Sequence, residues 1–393
     1  MKDELSYVLI TPYSLIKSRT GGIIGRLLSM GDLELVGARM YAPSDDFVDR
    51  YCATIEAQDM EPRLKRAFIN YINDYFRRDN RFGISNRIML MFFQGPNAVK
   101  SLKEDVVGSV DHIRGDTVRG TYGDYLEGVN GEIEYFEPAV LTATDEETNK
   151  KQLALFSEYA ESDGGVLEHA VKFPEGEKPE TTLVIIKPEN FLRHSSRPGN
   201  IIDIFSRTGL RIVGAKLLCM DLARAETFYL PVREVLREKL KSNLAKKLDE
   251  SLSPTFGFPL EDKTLDKLAD DLKDLNAQHE FNRIVEYMTG INPSSVTDPR
   301  EREKPGTAKC LALLYRGVHA IDKIREILGV TDPRKAADAT VRSIYGYDLM
   351  RNAAHASDSP ENAERERKIV GLWDEDSRCE EKGLIEAYLA GRP

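Results

Sequence analysis

Along the chain, short apolar runs alternate with amphipathic stretches, and the order in which they come is repeated. Tyr7-Val8-Leu9-Ile10 predicts a strand halted at Thr11-Pro12, since proline cannot donate to a sheet ladder. Gly21-Gly22-Ile23-Ile24 with Leu27 and Leu28 one turn later predicts a helix with one apolar face. Leu35-Val36-Gly37-Ala38-Arg39 supplies a second strand, and a helical region follows through Tyr51. Ile88-Met89-Leu90-Met91-Phe92-Phe93-Gln94-Gly95 then reads as a buried strand ending in glycine, followed by a helix.

The same order returns in Leu183-Val184-Ile185-Ile186-Lys187-Pro188, Gly199-Asn200-Ile201-Ile202 with Phe205, Ile212-Val213-Gly214-Ala215-Lys216, Tyr229, and Cys310 to Gly317. A repeat this long indicates duplicated domains and not a solenoid, whose periods run to a few tens of residues. Strands and helices in this order predict an α+β fold: two tandem ferredoxin-like α/β sandwiches, each a β-α-β-β-α-β antiparallel sheet with helices on one face. Residues 161–180 are polar and rich in Gly and Pro, as linkers are, so the domains are drawn at 1–160 and 181–393.

The stretch from Tyr229 to Gly317 is about twice as long as that from Tyr51 to Gly95. The excess, about 231–279, carries Leu236, Leu240, Leu244 and Leu248 among lysines and glutamates and predicts an inserted helical hairpin in the second domain. Its leucine stripe suits packing within its own domain or a partner-binding face.

Composition narrows the function. With 41% hydrophobic and 31% charged residues the 393-residue chain is an ordinary globular one, long enough for two or three cores. No apolar run approaches the roughly 18 residues of a membrane span, and Met1-Lys2-Asp3-Glu4-Leu5 has no signal-peptide core, which predicts a cytoplasmic protein without membrane partners. Four scattered cysteines argue against a disulfide framework and a structural zinc site. A formal charge of −10 disfavours coating nucleic acid, though a small anion needs only a local cluster of Lys and Arg.

Candidate chemistry gathers at Asn352-Ala353-Ala354-His355-Ala356-Ser357-Asp358-Ser359-Pro360. Small neighbours let a bulky substrate approach the imidazole of His355. Ser359 can cap a helix that Pro360 begins, and Glu366 on that helix can fold back onto one ring nitrogen, leaving the other to react. On these residues alone the stretch suits an ordinary loop histidine as well as a reactive one.

Together with Ile185 to Pro188, Gly199 to Ile202, Ile212 to Lys216, Tyr287-Met288-Thr289-Gly290, Leu328-Gly329-Val330-Thr331-Asp332-Pro333 and Thr340-Val341-Arg342, that stretch resembles the nucleoside diphosphate kinase family over roughly residues 180–375, and more faintly over 5–157. The resemblance implies a ping-pong transfer of the γ-phosphoryl group from a nucleoside triphosphate to a nucleoside diphosphate, with His355 as nucleophile and Ser357 and Glu366 orienting it. It implies that Lys187 contacts the phosphoryl in flight, that Arg325 and Arg342 grip the β- and γ-phosphates, and that Thr331, Asn352 and Tyr229 add neutral donors. Mg²⁺ would be held mainly by the phosphates. Such an assignment fits the chemistry, because phosphoryl transfer asks chiefly for in-line positioning and neutralisation of charge on the equatorial oxygens.

The pattern is broken in two places. In the first copy Thr11 stands for Lys187 and Lys103 near Arg325; aligning Asp145 with Asp358 puts Thr142 in the nucleophile's place and Ala139 in that of Asn352. Only Arg119 survives clearly, and an extra segment, about 120–140, intervenes. The first domain is therefore expected to be degenerate, packed on the second as one half of a pseudo-twofold pair, which could itself assemble further into a homo-oligomer. His112 is expected at the surface. The insertion falls between Tyr229 and Phe281, the part that the resemblance implies forms the clamp over the base; Phe281 is a candidate to stack on it, and Tyr229, which repeats as Tyr51, suits a core tyrosine as well as a ligand contact. A nucleotide-binding regulatory protein without turnover, or a phosphohistidine relay to a protein partner, are the alternative functions.

Overall fold

The computed structural model describes residues 3–30, 32–110, 115–373 and 379–392; His112 lies outside them. Strands β1 (Asp3–Ile10), β2 (Glu34–Tyr41), β3 (Ile88–Pro96) and β4 (Val140–Leu141) form one four-stranded sheet in the order β2-β3-β1-β4. Strands β5 (Pro179–Ile186), β6 (Arg211–Leu218), β7 (Cys310–Val318) and β8 (Ala354–Ala356) form another in the order β8-β5-β7-β6. The two orders are the same, and β1 and β5 each lie between antiparallel neighbours. This is the α+β sandwich topology expected, built twice.

Period-2 alternation explains the layering. On β1, Val8 and Ile10 face a core that also contains Ile23 and Ile24 of helix α1 (Thr20–Ser29), and that continues into Val184 and Ile186 of β5 and Ile201, Ile202 and Phe205 of helix α2 (Arg197–Ser206). Tyr7 and Leu9 point the other way, into an aromatic cluster with Phe47, Tyr51, Phe92 and Phe156. The first sheet is thus covered on its second face as well.

Helices α1 and α2 cross with their backbones in contact: a Cβ at Gly199 would stand 2.0 Å from the Gly25 nitrogen and 2.4 Å from the Gly21 carbonyl oxygen. Only glycine fits this crossing.

The stretch of linker composition is fastened on both sides. The Ala42 and Gly165 amides donate to Asp163 and Met40 carbonyls respectively, and the Leu167 amide donates to Val213 of β6. Leu167 is buried, and Glu168 accepts from Arg316 and pairs with Arg367 at 2.6 Å. Polar composition here reflects ion pairs and turns, not a solvated tether. The extra segment after Gly120 forms a two-stranded ribbon, Asp124–Glu127 with Ile133–Glu137.

Residues 218–310 form a separate compact unit. In it, helices α3 (Leu222–Phe256) and α4 (Asp262–Thr289) pack along one another and turn at Gly257 in the left-handed conformation. The hairpin is longer than the 231–279 read from the pattern, and Leu236, Leu244 and Leu248 of its stripe are half-buried. Among the described residues no helix is long and apolar enough to cross a membrane.

Candidate functional site

His355 is carried by β8, where it pairs with Ile185 of β5. Ala354 and Ala356 on either side pack on the apolar core, so alternation turns the imidazole to the opposite face, where its side chain is 23% exposed. Ser359 caps helix α6 (Pro360–Val370), its Oγ accepting from the Asn362 amide at 3.1 Å, with Pro360 in the first turn; helix α5 (Ala320–Leu328) precedes it in the chain. The helix begun in this way brings Glu366 back to the strand.

Glu366 Oε2 lies 2.8 Å from His355 Nε2 and accepts from Ser357 Oγ at 2.7 Å. Burial alone would raise this carboxyl, but the charge and hydrogen bond of His355, with the Ser357 hydroxyl and Arg365, hold it below the usual carboxylate range. An ionised Glu366 can only accept, so Nε2 carries a proton, and in the neutral ring the lone pair is left on Nδ1.

The cations named from the sequence converge on the same loop. Lys187 Nζ donates to Asn352 Oδ1 and to the Met350 carbonyl, both at 2.8 Å. Arg342 donates to the Ala354 carbonyl at 3.1 Å and the Gly329 carbonyl at 2.9 Å; burial, aided by Arg325 nearby, pulls its guanidinium down to about 10. Arg342 sits in a one-turn helix, Val341–Tyr345, capped by Thr340. Arg325, in the last turn of α5, is half-exposed and 4.0 Å from Asp358. Asn352 is buried and donates to the Thr331 and Leu349 carbonyls, so Thr331 meets the site through its backbone. Tyr229 and Phe281 lie on α3 and α4 of the 218–310 unit, and both are buried.

Two further positioning residues follow Lys187-Pro188 directly. Ala353 has φ +72, a backbone conformation that alanine seldom adopts. Glu189 accepts its amide at 2.8 Å, and Asn190 Nδ2 donates to its carbonyl at 2.8 Å. These two residues set the turn that presents His355, and only their adjacency to Lys187 could have drawn attention to them.

The first sheet repeats the frame with other side chains. The Thr11 amide donates to the Ala139 carbonyl as the Lys187 amide does to Ala353, and Ala139 also has positive φ, +58. Leu9 pairs with Leu141 as Ile185 pairs with His355, and Asp145 caps its helix as Ser359 does. The counterpart of His355 is therefore Leu141, not Thr142, and the counterpart of Asn352 is Pro138, not Ala139. Matching Asp145 to Asp358 by identity shifted the register by one, because the acid plays the part of the capping serine. Counting from the caps, Ala143 takes the place of Ser357 and Gln152 that of Glu366. Lys103 does correspond to Arg325: the carbonyls of the two accept from Gly108 and Gly329.

The family model described as nucleoside diphosphate kinase matches residues 180–243 and 303–372, and its break falls within the 218–310 unit. Nucleoside diphosphate kinase A of Flaveria bidentis is 27% identical over 194 residues, 49% of this chain and 87% of the relative. The nucleoside diphosphate kinase of Bdellovibrio bacteriovorus is 29% identical over 187 residues, 48% of this chain and 89% of the relative. Among solved structures, an NDP kinase from Pyrobaculum aerophilum aligns at 24% identity with a TM-score of 0.34, over 49% of this chain and 95% of that one.

Proposed function

From a chain that belongs, through its C-terminal half, to the nucleoside diphosphate kinase family, we infer that His355 carries a phosphoryl group between nucleotides. Nδ1 attacks the γ-phosphorus of a nucleoside triphosphate in line, the P–O bond to the β-phosphate breaks, and the diphosphate leaves. A terminal oxygen of a second nucleoside diphosphate then attacks the phosphohistidine, the P–N bond breaks, and the neutral imidazole returns.

The observation that supports this reading best is the gathering of an oriented imidazole and two cations on four consecutive residues. Asn352 holds Lys187, Ala354 holds Arg342, and His355 is held by Glu366. With Arg325 at the rim, these groups neutralise charge on the equatorial oxygens, and the Glu366 carboxylate steadies the positive charge that develops on the ring. The nearby carboxylates are engaged, Glu366 by His355 and Ser357 and Asp358 by Arg325. We therefore assign Mg²⁺ to the nucleotide's own phosphates, where it would add charge neutralisation. Asn352 is proposed to position Lys187, Thr331 to add a neutral donor through its exposed hydroxyl, and the first sandwich to be the degenerate half of an intramolecular pair.

Incubation with γ-labelled ATP and Mg²⁺ tests the reading. The chain is expected to take up acid-labile label that chases onto added GDP, and His355→Ala to take up none. Nucleotide binding without label would favour a regulatory binder, and label that leaves only to a protein would favour a relay.

A further inference from the structure

The first sandwich contains a cavity of about 400 Å³, inside the range of small-molecule sites, on the sheet face that carries His355 in the second. Its lining includes Ile55, Leu64, Phe68, Val110 and Leu141. The polar groups of the His355 site have been exchanged: Leu141 for the imidazole, Ala143 for Ser357, Gln152 for Glu366, Thr11 for Lys187 and Pro138 for Asn352. Gln152 is engaged by the Tyr7 hydroxyl at 2.7 Å and donates to Thr54 at 3.0 Å. Thr11, in the place of Lys187, brings no cation, and its hydroxyl lies 3.4 Å from the buried carboxyl of Glu137. Of the charged groups around His355, only the counterparts of Arg325 and Arg342 remain cationic here, Lys103 and Arg119, beside apolar surface.

Charge on the lining is divided. Lys103 and Arg119 share one wall, joined through Gly108, whose amide donates to the Lys103 carbonyl and whose carbonyl accepts from Arg119 at 3.0 Å. The acids on the lining, Asp59 and Glu104, are both exposed at the mouth, and Glu104 lies 3.9 Å from Lys100. We propose that this cavity is a second binding site, for a small organic acid whose aromatic or aliphatic body sits against Leu141 and Phe68 and whose single anionic group lies by Lys103 and Arg119. The site stands independently of what His355 does.

Titration of the full chain with 8-anilinonaphthalene-1-sulfonate, an aromatic body with one anionic group, tests it. One saturable site is expected. Leu141→Trp, which fills the floor, and Thr142→Trp, which enters from the half-exposed edge and spares the buried core, should each weaken it about tenfold or more, as should Lys103→Glu. Saturating ADP with Mg²⁺ should leave the probe bound. The proposal is overturned if the probe binds Thr142→Trp as tightly as the parent chain, if Lys103→Glu has no effect, or if ADP displaces it.

Discussion

Replacing Glu366 with glutamine removes one charge and little volume, so it isolates what the carboxylate does for His355. In the native site one buried oxygen, on a residue 5% exposed, faces Nε2 at 2.8 Å and Ser357 Oγ at 2.7 Å. Hydrogen bonds to charged groups contribute about 1.5–3 kcal/mol. Positive charge grows on the ring as Nδ1 binds phosphorus, so the loss falls on the transition state and not on the bound nucleotide. At 1.36 kcal/mol per tenfold in rate, kcat/KM is expected to fall about 10- to 150-fold. The dissociation constant for ADP should stay within about twofold. Steady-state transfer from ATP to a second diphosphate, with ADP binding measured separately, reads both quantities. The variant should also lose an acid-dependent increment of stability. The native carboxyl is held below its ordinary value. Its contribution is complete above about pH 4.5 and disappears as the pH falls through the lower native value. Transfer within twofold of the parent chain, or a loss confined to nucleotide affinity, would refute the assignment of Glu366 as the orienting base.

Three more outcomes are expected. Gly199→Ala places a methyl group against the backbone at Gly21 and Gly25, and overpacking of this kind costs about 1–3 kcal/mol, visible as a lower midpoint in urea. Glu137 is buried with Oε2 lacking a hydrogen-bond partner among the described residues, and burial pushes its carboxyl up to about 7. Its native protonation stabilises the fold below about pH 4.5 and that contribution is lost as the pH rises through 7, so Glu137→Gln should raise the unfolding midpoint at pH 8 by the equivalent of about 1–3 kcal/mol and leave it unchanged at pH 4. In a His355→Ala background, Leu141→His should restore no acid-labile label from γ-labelled ATP, since Gln152 and Ala143 stand where the orienting carboxylate and hydroxyl are needed; label on that double variant would show that those partners are dispensable.

Much of the architecture could be read from spacing, because it rests on local chemistry. Apolar runs stopped at Thr11-Pro12 and Lys187-Pro188 became matching central strands, and Ser359-Pro360 capped a helix that returned Glu366 to His355. Arg342 lies in a one-turn helix capped by Thr340, an element too short to show as a periodic pattern in the sequence. Residues 161–180 had the composition of a tether and were fastened to both sheets, because hydrogen bonds between backbone groups leave no trace in composition.

By itself, then, the sequence determined the repeated strand order, the caps, the inserted hairpin and the residue types of the His355 site. Strand register was left to the tertiary structure. A slip of one residue exchanges the two faces of a strand, and only the pairing of Leu9 with Leu141 showed that leucine, and not threonine, occupies the position of the imidazole. The meeting of Lys187, Arg342 and Glu366 around residues 352–355 was likewise decided in three dimensions, where the strand and its turn hold groups that lie far apart along the chain.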